Sequence, residues 1–439
     1  MVRRAILVIV LLLVAVPAAH PDVTQAASSR DFYVSPDGSD ASPGTSPSAP
    51  WRTLARVNSA FLLPGDRVHL RGNATFREPL APRAGTNGTT AQPIVFDSYG
   101  TGRATLTAGL YLNSVSNLDF ETLNVTSTGK GIFSSAGGTG VGTILLRDLT
   151  ISDVPLAGIS SNNLADRAWR IEGVRISRTG DSGIYFIGSD FTISDSSIDS
   201  TGRDSSIAYP RHGIYAAGPS PTIVNDDITQ SSTSGISLRY QNGFVAGNHI
   251  SGGARGISFE EQARSVGTTR IVYNTISNVS DSGIVVARAA IENFVVANNT
   301  IQGAGTYGMY FQVVPNLTIA NNIVQATTAG AALLSVRAPS SSYSEHNNLW
   351  YGGDSTGFYW NGSARTFGAY RNASRQGLSD SSRDPLLSSS FSLASGSPAV
   401  DAGSATVDTS LEYRALCDGQ AFSYCGRAPD LGAAERSGA

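Results

Sequence analysis

Between Asp181 and Gln312 the apolar and polar positions return in one pattern. A Gly followed by an apolar residue opens each unit: Gly183-Ile184-Tyr185, Gly213-Ile214-Tyr215, Gly235-Ile236-Ser237, Gly256-Ile257-Ser258, Gly283-Ile284-Val285 and Gly308-Met309-Tyr310, with successive glycines 21 to 30 positions apart. A period above about 20 residues, carried by short alternating segments without helical stretches between them, predicts stacked coils rather than blades or helix pairs. Each coil contributes short strands that pair in parallel with the coils above and below, about 4.8 Å away. Alternate side chains then point inward, which stacks Ile214, Ile236, Ile257 and Ile284 in a core. A second column of small polar residues, Ser196, Asp226, Asn248, Asn274, Asn299, Asn321 and Asn347, keeps the same spacing. Asn tolerates left-handed backbone, so this column is expected at a turn. One interval is swollen by residues 203–212, and loops inserted on a rigid scaffold are where chemistry collects.

Outside the repeat the pattern changes. Asp31 to Ser35 reads as a strand, and Trp51, Leu54, Ala55, Val57 and Phe61 fall at helical spacing before Pro64-Gly65-Asp66. A stack of coils exposes strand edges and an open core at its first turn, so this helix is expected to cap it. Strands are predicted at 67–70, 93–96 and 104–106. After Trp350 an aromatic segment, with Tyr351, Phe358, Tyr359, Trp360, Phe367 and Tyr370, reads as the last coil and closing cap, or as a sugar-stacking platform. The chain divides into a leader at 1–27, a capping region with the first strands at 28–110, coils at 111–365 and a closing segment at 366–439. The fold class is all-β, a parallel β-helix solenoid.

Composition narrows the function. Arg3 and Arg4 precede an apolar run from Ala5 to Val16 and small residues that suit cleavage, so a signal peptide and export are expected. No later stretch has the roughly 20 apolar residues a bilayer crossing needs, so no membrane partner is expected after the leader is removed. Charged residues are 15% of the chain and the net charge is −3, without the clustered basic face of a nucleic-acid binder. Cys417 and Cys425 are the two cysteines of an exported chain, and a disulfide between them is expected.

The opening Phe32-Tyr33-Val34-Ser35-Pro36-Asp37-Gly38-Ser39-Asp40, the turn Pro64-Gly65-Asp66-Arg67-Val68, the coils, and the endings Asp384-Pro385-Leu386 and Pro429-Asp430-Leu431-Gly432-Ala433 resemble secreted right-handed parallel β-helix proteins of the pectate-lyase-like superfamily. The resemblance implies a polysaccharide partner and a carbohydrate-active role. It is specific for fold and leaves the reaction open, because the shared motifs are caps and turns.

A β-helix builds sites from residues one coil apart. Aligned on the glycine, the outward columns place His212, Tyr185, Tyr215, Arg239, Arg255, Glu260, Tyr310 and Gln312 on one face, beside the loop carrying Asp204, Tyr209 and Arg211. The bland reading of Arg239 and Glu260 is a cross-strand ion pair. In a lyase, Arg239 or Arg255 neutralises a uronate carboxylate while His212 or Tyr209 moves protons, with Arg211 and Glu260 as further catalytic candidates. Tyr185, Tyr215, Arg255, Tyr310, Gln312 and Asp204 are the substrate-binding candidates. A hydrolase needs two carboxylates about 5–9.5 Å apart, for which Glu260 has Asp281, Asp204 or Glu261. A uronate C5-epimerase uses the lyase's groups, and a non-catalytic glycan binder uses the same face without turnover. The lyase reading ranks first, because Arg, His and Tyr outnumber paired carboxylates there. No cofactor is required by these residues; calcium is a candidate through Asp226 and Asp227 with Asp199 or Asp204. Lys bases are common in resembling lyases, but Lys130, the single lysine, is three coils away and is not expected at this face.

Overall fold

The computed structural model describes residues 29–240, 242–260, 267–288, 293–353, 355–407 and 426–436. The leader, Glu261, Cys417 and Cys425 lie outside the described residues. The chain winds into a right-handed parallel β-helix with three sheets along its length. Among the described residues the first sheet holds 13 strands, from Asp31–Val34 to Ser342–His346. The second holds 12, from Thr75–Phe76 to Leu349–Gly352, and the third 12, from Leu110–Leu112 to Ser363–Arg365.

The third sheet carries the predicted columns. Ile184, Ile214, Ile236, Ile257, Ile284 and Met309 are in register from strand to strand, and all are fully buried. The glycine before each isoleucine is required by close approach. A Cβ on Gly213 would lie 2.6 Å from the Gly235 carbonyl oxygen and 2.6 Å from Ile228 Cγ2 of the second sheet. Coil wall and core side chain meet there with no room for a methyl group.

Of the predicted turn column only Asn321 and Asn347 have left-handed backbone; Ser196, Asp226, Asn248, Asn274 and Asn299 each come one residue after the left-handed position. The left-handed positions are Asp195, Asn225, Gly247, Tyr273, Asn298, Asn321 and Asn347, with φ between 53° and 67°. The next residue in each coil forms a buried ladder: Ser196, Asp226, Asn248, Asn274, Asn299, Asn322 and Asn348. Asn274 shows its logic. Its Oδ1 accepts from the backbone N–H of Asn248 at 3.1 Å, and its Nδ2 donates to Asn299 Oδ1 and to the Val245 and Val272 carbonyls, each at 3.0 Å. Every buried polar atom of the side chain is thereby satisfied. Asn321 and Asn347 are left-handed turn residues, not ladder members, and their side chains donate to the Ser404 and Ala402 carbonyls of the C-terminal segment.

Asp226 is the exception within the ladder. Its Oδ1 accepts from the Ser196 N–H at 2.8 Å, while Oδ2 is buried without a partner. Burial raises its carboxyl well above the ordinary range.

Both ends are capped as the sequence predicts. The helix Leu54–Ser59 is N-capped by Thr53 and buries Leu54 and Val57; Phe61, expected on its apolar face, is 70% exposed because the helix stops before it. At the other end the helix Phe367–Ser374 places Tyr370 against Phe358 and Trp360, with ring centroids 5.1 and 5.7 Å apart.

Candidate active site

The swollen loop folds back over the third sheet. Backbone N–H groups of Gly202, Arg203 and Asp204 donate to the carbonyls of Asp181, Thr179 and Gly180, and Asp204 Oδ1 accepts from Ser206 at its N–H and hydroxyl. Arg211 donates to the Asp204 carbonyl, closing the loop on itself. Tyr209 is thus carried over the sheet, 54% exposed, with its hydroxyl donating to Asp181 Oδ2 at 2.8 Å. Beneath it is a cleft of about 440 Å³ lined by Lys130, Ser160, Asn162, Asp181, Tyr185, Tyr209, His212, Tyr215 and Arg239 among others.

The cleft floor is a stack. Tyr185 and Tyr215 lie 4.9 Å apart at 11°, His212 packs on Tyr215 at 5.5 Å, and the Arg239 guanidinium sits 5.3 Å from the Tyr215 ring. Arg239 Nη1 donates to Glu260 at 2.7 Å, so the cross-strand ion pair is real, and Arg255 pairs with Asp281 at 2.9 Å. Glu260 therefore faces a cation instead of a second carboxylate. A smaller cavity of about 80 Å³ continues past His212 and Arg239 toward Arg255 and Glu260.

His212 is 3% exposed, and both ring nitrogens are buried without partners among the described residues. Burial, then the charges of Arg239 and Arg255, holds its pKa down at about 3. The imidazole is neutral, and its nitrogens are buried beneath the cleft floor.

Lys130 differs most from expectation. It precedes Gly131, in the same column as His212, and its Nζ climbs to bond Ser160 Oγ at 3.2 Å and Asn162 Oδ1 at 3.1 Å. Both partners are neutral, and burial lowers its pKa. Burial and the bond to Asp181 push Tyr209 up to about 12. Asp181 is 6% exposed, and its Oδ1 accepts from the Ser182 N–H and hydroxyl.

Of the predicted site residues, the structure brings Tyr185, Tyr209, His212, Tyr215 and Arg239 into the cleft, and Arg255 and Glu260 into the adjoining cavity. Asp204 and Arg211 serve the loop itself. Tyr310 and Gln312 stand four strands beyond Tyr215 by register. The calcium donors do not converge: Asp226 lies in the ladder, Asp199 accepts from Ser200 and Thr229, and Asp204 from Ser206. Among the described residues no three His, Cys, Asp or Glu side chains group as a metal site.

Residues 199–349 match the family described as right handed beta helix region. The chain is a right-handed parallel β-helix. Among solved structures of this fold it is similar to the pectate lyase Pel9A, with 19% identity over 93% of this chain and 96% of that one and a TM-score of 0.54. It is also similar to XylC in its complex with xylose, with 10% identity, coverage of 82% and 87%, and a TM-score of 0.56. A stretch of 80 residues is 38% identical to a lacto-N-biosidase of Bifidobacterium longum subsp. longum; it is 18% of this β-helix and 5% of that protein. Among the described residues no helix is long and apolar enough to cross a membrane.

Proposed function

We propose that this β-helix is an exported lyase that cleaves a uronate-containing glycan by β-elimination. The observation that carries the reading is the cleft's make-up. It holds two basic side chains, Lys130 and Arg239, and a carboxylate-bound tyrosine, and among its described lining residues Asp181 is the single carboxylate. A glycosidase needs two. The fold shared with a pectate lyase supports the same direction.

Lys130 fits the base. Its two hydrogen bonds to neutral acceptors leave the nitrogen lone pair of the free amine uncommitted, and burial favours that neutral form. Arg239 fits the carboxylate: Glu260 occupies Nη1 and leaves Nη2 for the substrate. Charge there stabilises the enolate-like transition state. The C5–H proton passes to Lys130, the C4=C5 bond forms as the C4–O bond breaks, and the leaving oxygen takes the proton of Tyr209. Water then returns the proton of the Lys130 ammonium to the Tyr209 oxygen. Asp181 positions Tyr209 through its hydrogen bond, and His212 shapes the floor as a neutral ring.

Tyr209→Phe keeps the loop's packing and removes the proton. Its kcat is expected to fall about a hundredfold or more, with KM changed far less. A steady-state comparison on one uronic polymer checks this, and a retained kcat removes Tyr209 from the chemistry. The reading as a whole is tested by incubation with uronic and neutral polysaccharides, following reducing ends and the ultraviolet absorbance of an unsaturated product. Both signals rise together on a uronic polymer if the reading holds. Reducing ends without absorbance overturn it, as does inertness toward every glycan.

A further inference from the structure

Four strands beyond the cleft the same outward column of the third sheet becomes aromatic again. The column runs Tyr215, Ser237, Ser258, Val285, Tyr310, Ser335, Tyr359, residue against residue in parallel register. Tyr307 joins this second group, with its ring 5.2 Å from Tyr310 and 6.1 Å, edge-on, from Tyr359. All three are half-buried, with the core of the coils behind them. Beside them Gln312 and Arg337 are paired in adjacent strands between the register points Phe311↔Val336 and Val313↔Ala338, and both are exposed. Arg337 makes no ion pair or hydrogen bond among the described residues, although its charge reaches Tyr307. Arg239 and Arg255, nearer the cleft, are each matched by a carboxylate.

Between the two aromatic groups lie only small side chains. Ser237, Ser258 and Val285 line the 80 Å³ cavity that leads away from His212, and the ion pairs of Arg239 with Glu260 and Arg255 with Asp281 stand alongside. Four strand spacings are about 19 Å at about 4.8 Å each. A pyranose unit of an extended glycan is about as long as one spacing.

We propose that Tyr307, Tyr310, Tyr359 and Arg337 form a distal subsite for an acidic sugar about four residues along the glycan held in the cleft. The inference rests on the lyase reading for the identity of the glycan. The tyrosines supply apolar contact to a sugar ring, the unpaired Arg337 supplies charge for a carboxylate, and the row of small residues lets one chain reach both sites. The consequence is a preference for long acidic polymers.

The test compares kcat/KM on a uronic polymer with kcat/KM on a uronic tetramer, for the full chain and for Arg337→Glu and Tyr359→Ala. The polymer-to-tetramer ratio is expected to fall about tenfold in each variant, which corresponds to one lost contact of ordinary strength. Arg337 is exposed, so its variant keeps the test valid if Tyr359→Ala fails to fold. Turnover with an unchanged ratio in Arg337→Glu overturns the distal subsite and leaves the lyase reading standing. If no glycan is turned over, the lyase reading fails, and retardation in a gel containing the uronic polymer decides the subsite. Weaker retardation of the variants supports it and equal retardation overturns it.

Discussion

Lys130→Ala lowers kcat on a uronic polymer by about a hundred- to ten-thousandfold, the range a positioned base contributes. The physical basis is an amine that is desolvated, hydrogen-bonded to the neutral Ser160 and Asn162, and placed in the cleft under Tyr209. The pH profile carries the sign. Lys130 must be neutral to accept a proton, so kcat/KM rises with pH through its pKa, which burial holds below the ordinary lysine value. Tyr209 must keep its proton, so activity falls again as pH approaches about 12. The optimum lies between the lowered Lys130 pKa and the raised Tyr209 pKa. Lys130→Arg keeps the charge and lacks an accessible neutral form, so it is as inactive as the alanine variant; a Lys130 acting only as an anion grip predicts substantial rescue by arginine. An acid limb near the ordinary histidine pKa would shift the proton transfer to His212, whose own pKa is held down at about 3 in the arrangement described.

Asp226→Asn stabilises the fold at neutral pH by on the order of 1–3 kcal/mol, the cost of an unsatisfied buried polar group. Asp226 occupies a ladder position that Asn fills in the coils above it, where Nδ2 donates to carbonyl oxygens. The Asp226 Oδ2 has nothing to donate unless protonated, and it is buried without a partner. Its folded-state pKa is raised above the unfolded value. The native form therefore binds the extra proton, and wild-type stability from this group is complete below about pH 4 and declines as pH rises through the raised pKa. The gain of Asp226→Asn over wild type is expected to be small at acid pH and to grow toward neutrality. Glu345, buried at the C-terminal cap with Tyr343 and Tyr370, also has its pKa raised, but it is common to both proteins and cancels in the difference. Denaturant unfolding of the two proteins across pH reads the effect. A loss of stability, or a gain independent of pH, contradicts the assignment.

The parts legible in the sequence are those written into its period. The Gly-Ile column predicted the core because each isoleucine meets its counterpart one coil away and each glycine is forced by contact with the neighbouring wall. The ladder was half legible. The doublets Asn298-Asn299, Asn321-Asn322 and Asn347-Asn348 offer two candidates per turn, and spacing alone does not say which is left-handed and which is buried. In the site, Tyr215, His212 and Arg239 could be found because they flank the inserted loop. Lys130 could not be placed by counting coils, because a long side chain climbs one strand to reach Ser160. Its position before Gly131 was the available signal. Asp181 was hidden for a different reason: its partner is Tyr209, 28 residues later, brought back by a loop whose path the repeat does not encode.

The most direct measurement is turnover of a defined uronic oligosaccharide in water enriched in heavy oxygen, followed by mass analysis of both fragments. Elimination predicts that the fragment masses sum to the mass of the substrate and that neither newly formed end contains solvent oxygen at early times. Fragments that together exceed the substrate by one water, with heavy oxygen at the new reducing end, would show hydrolysis and contradict the assignment of Lys130, Tyr209 and Arg239 to a lyase site.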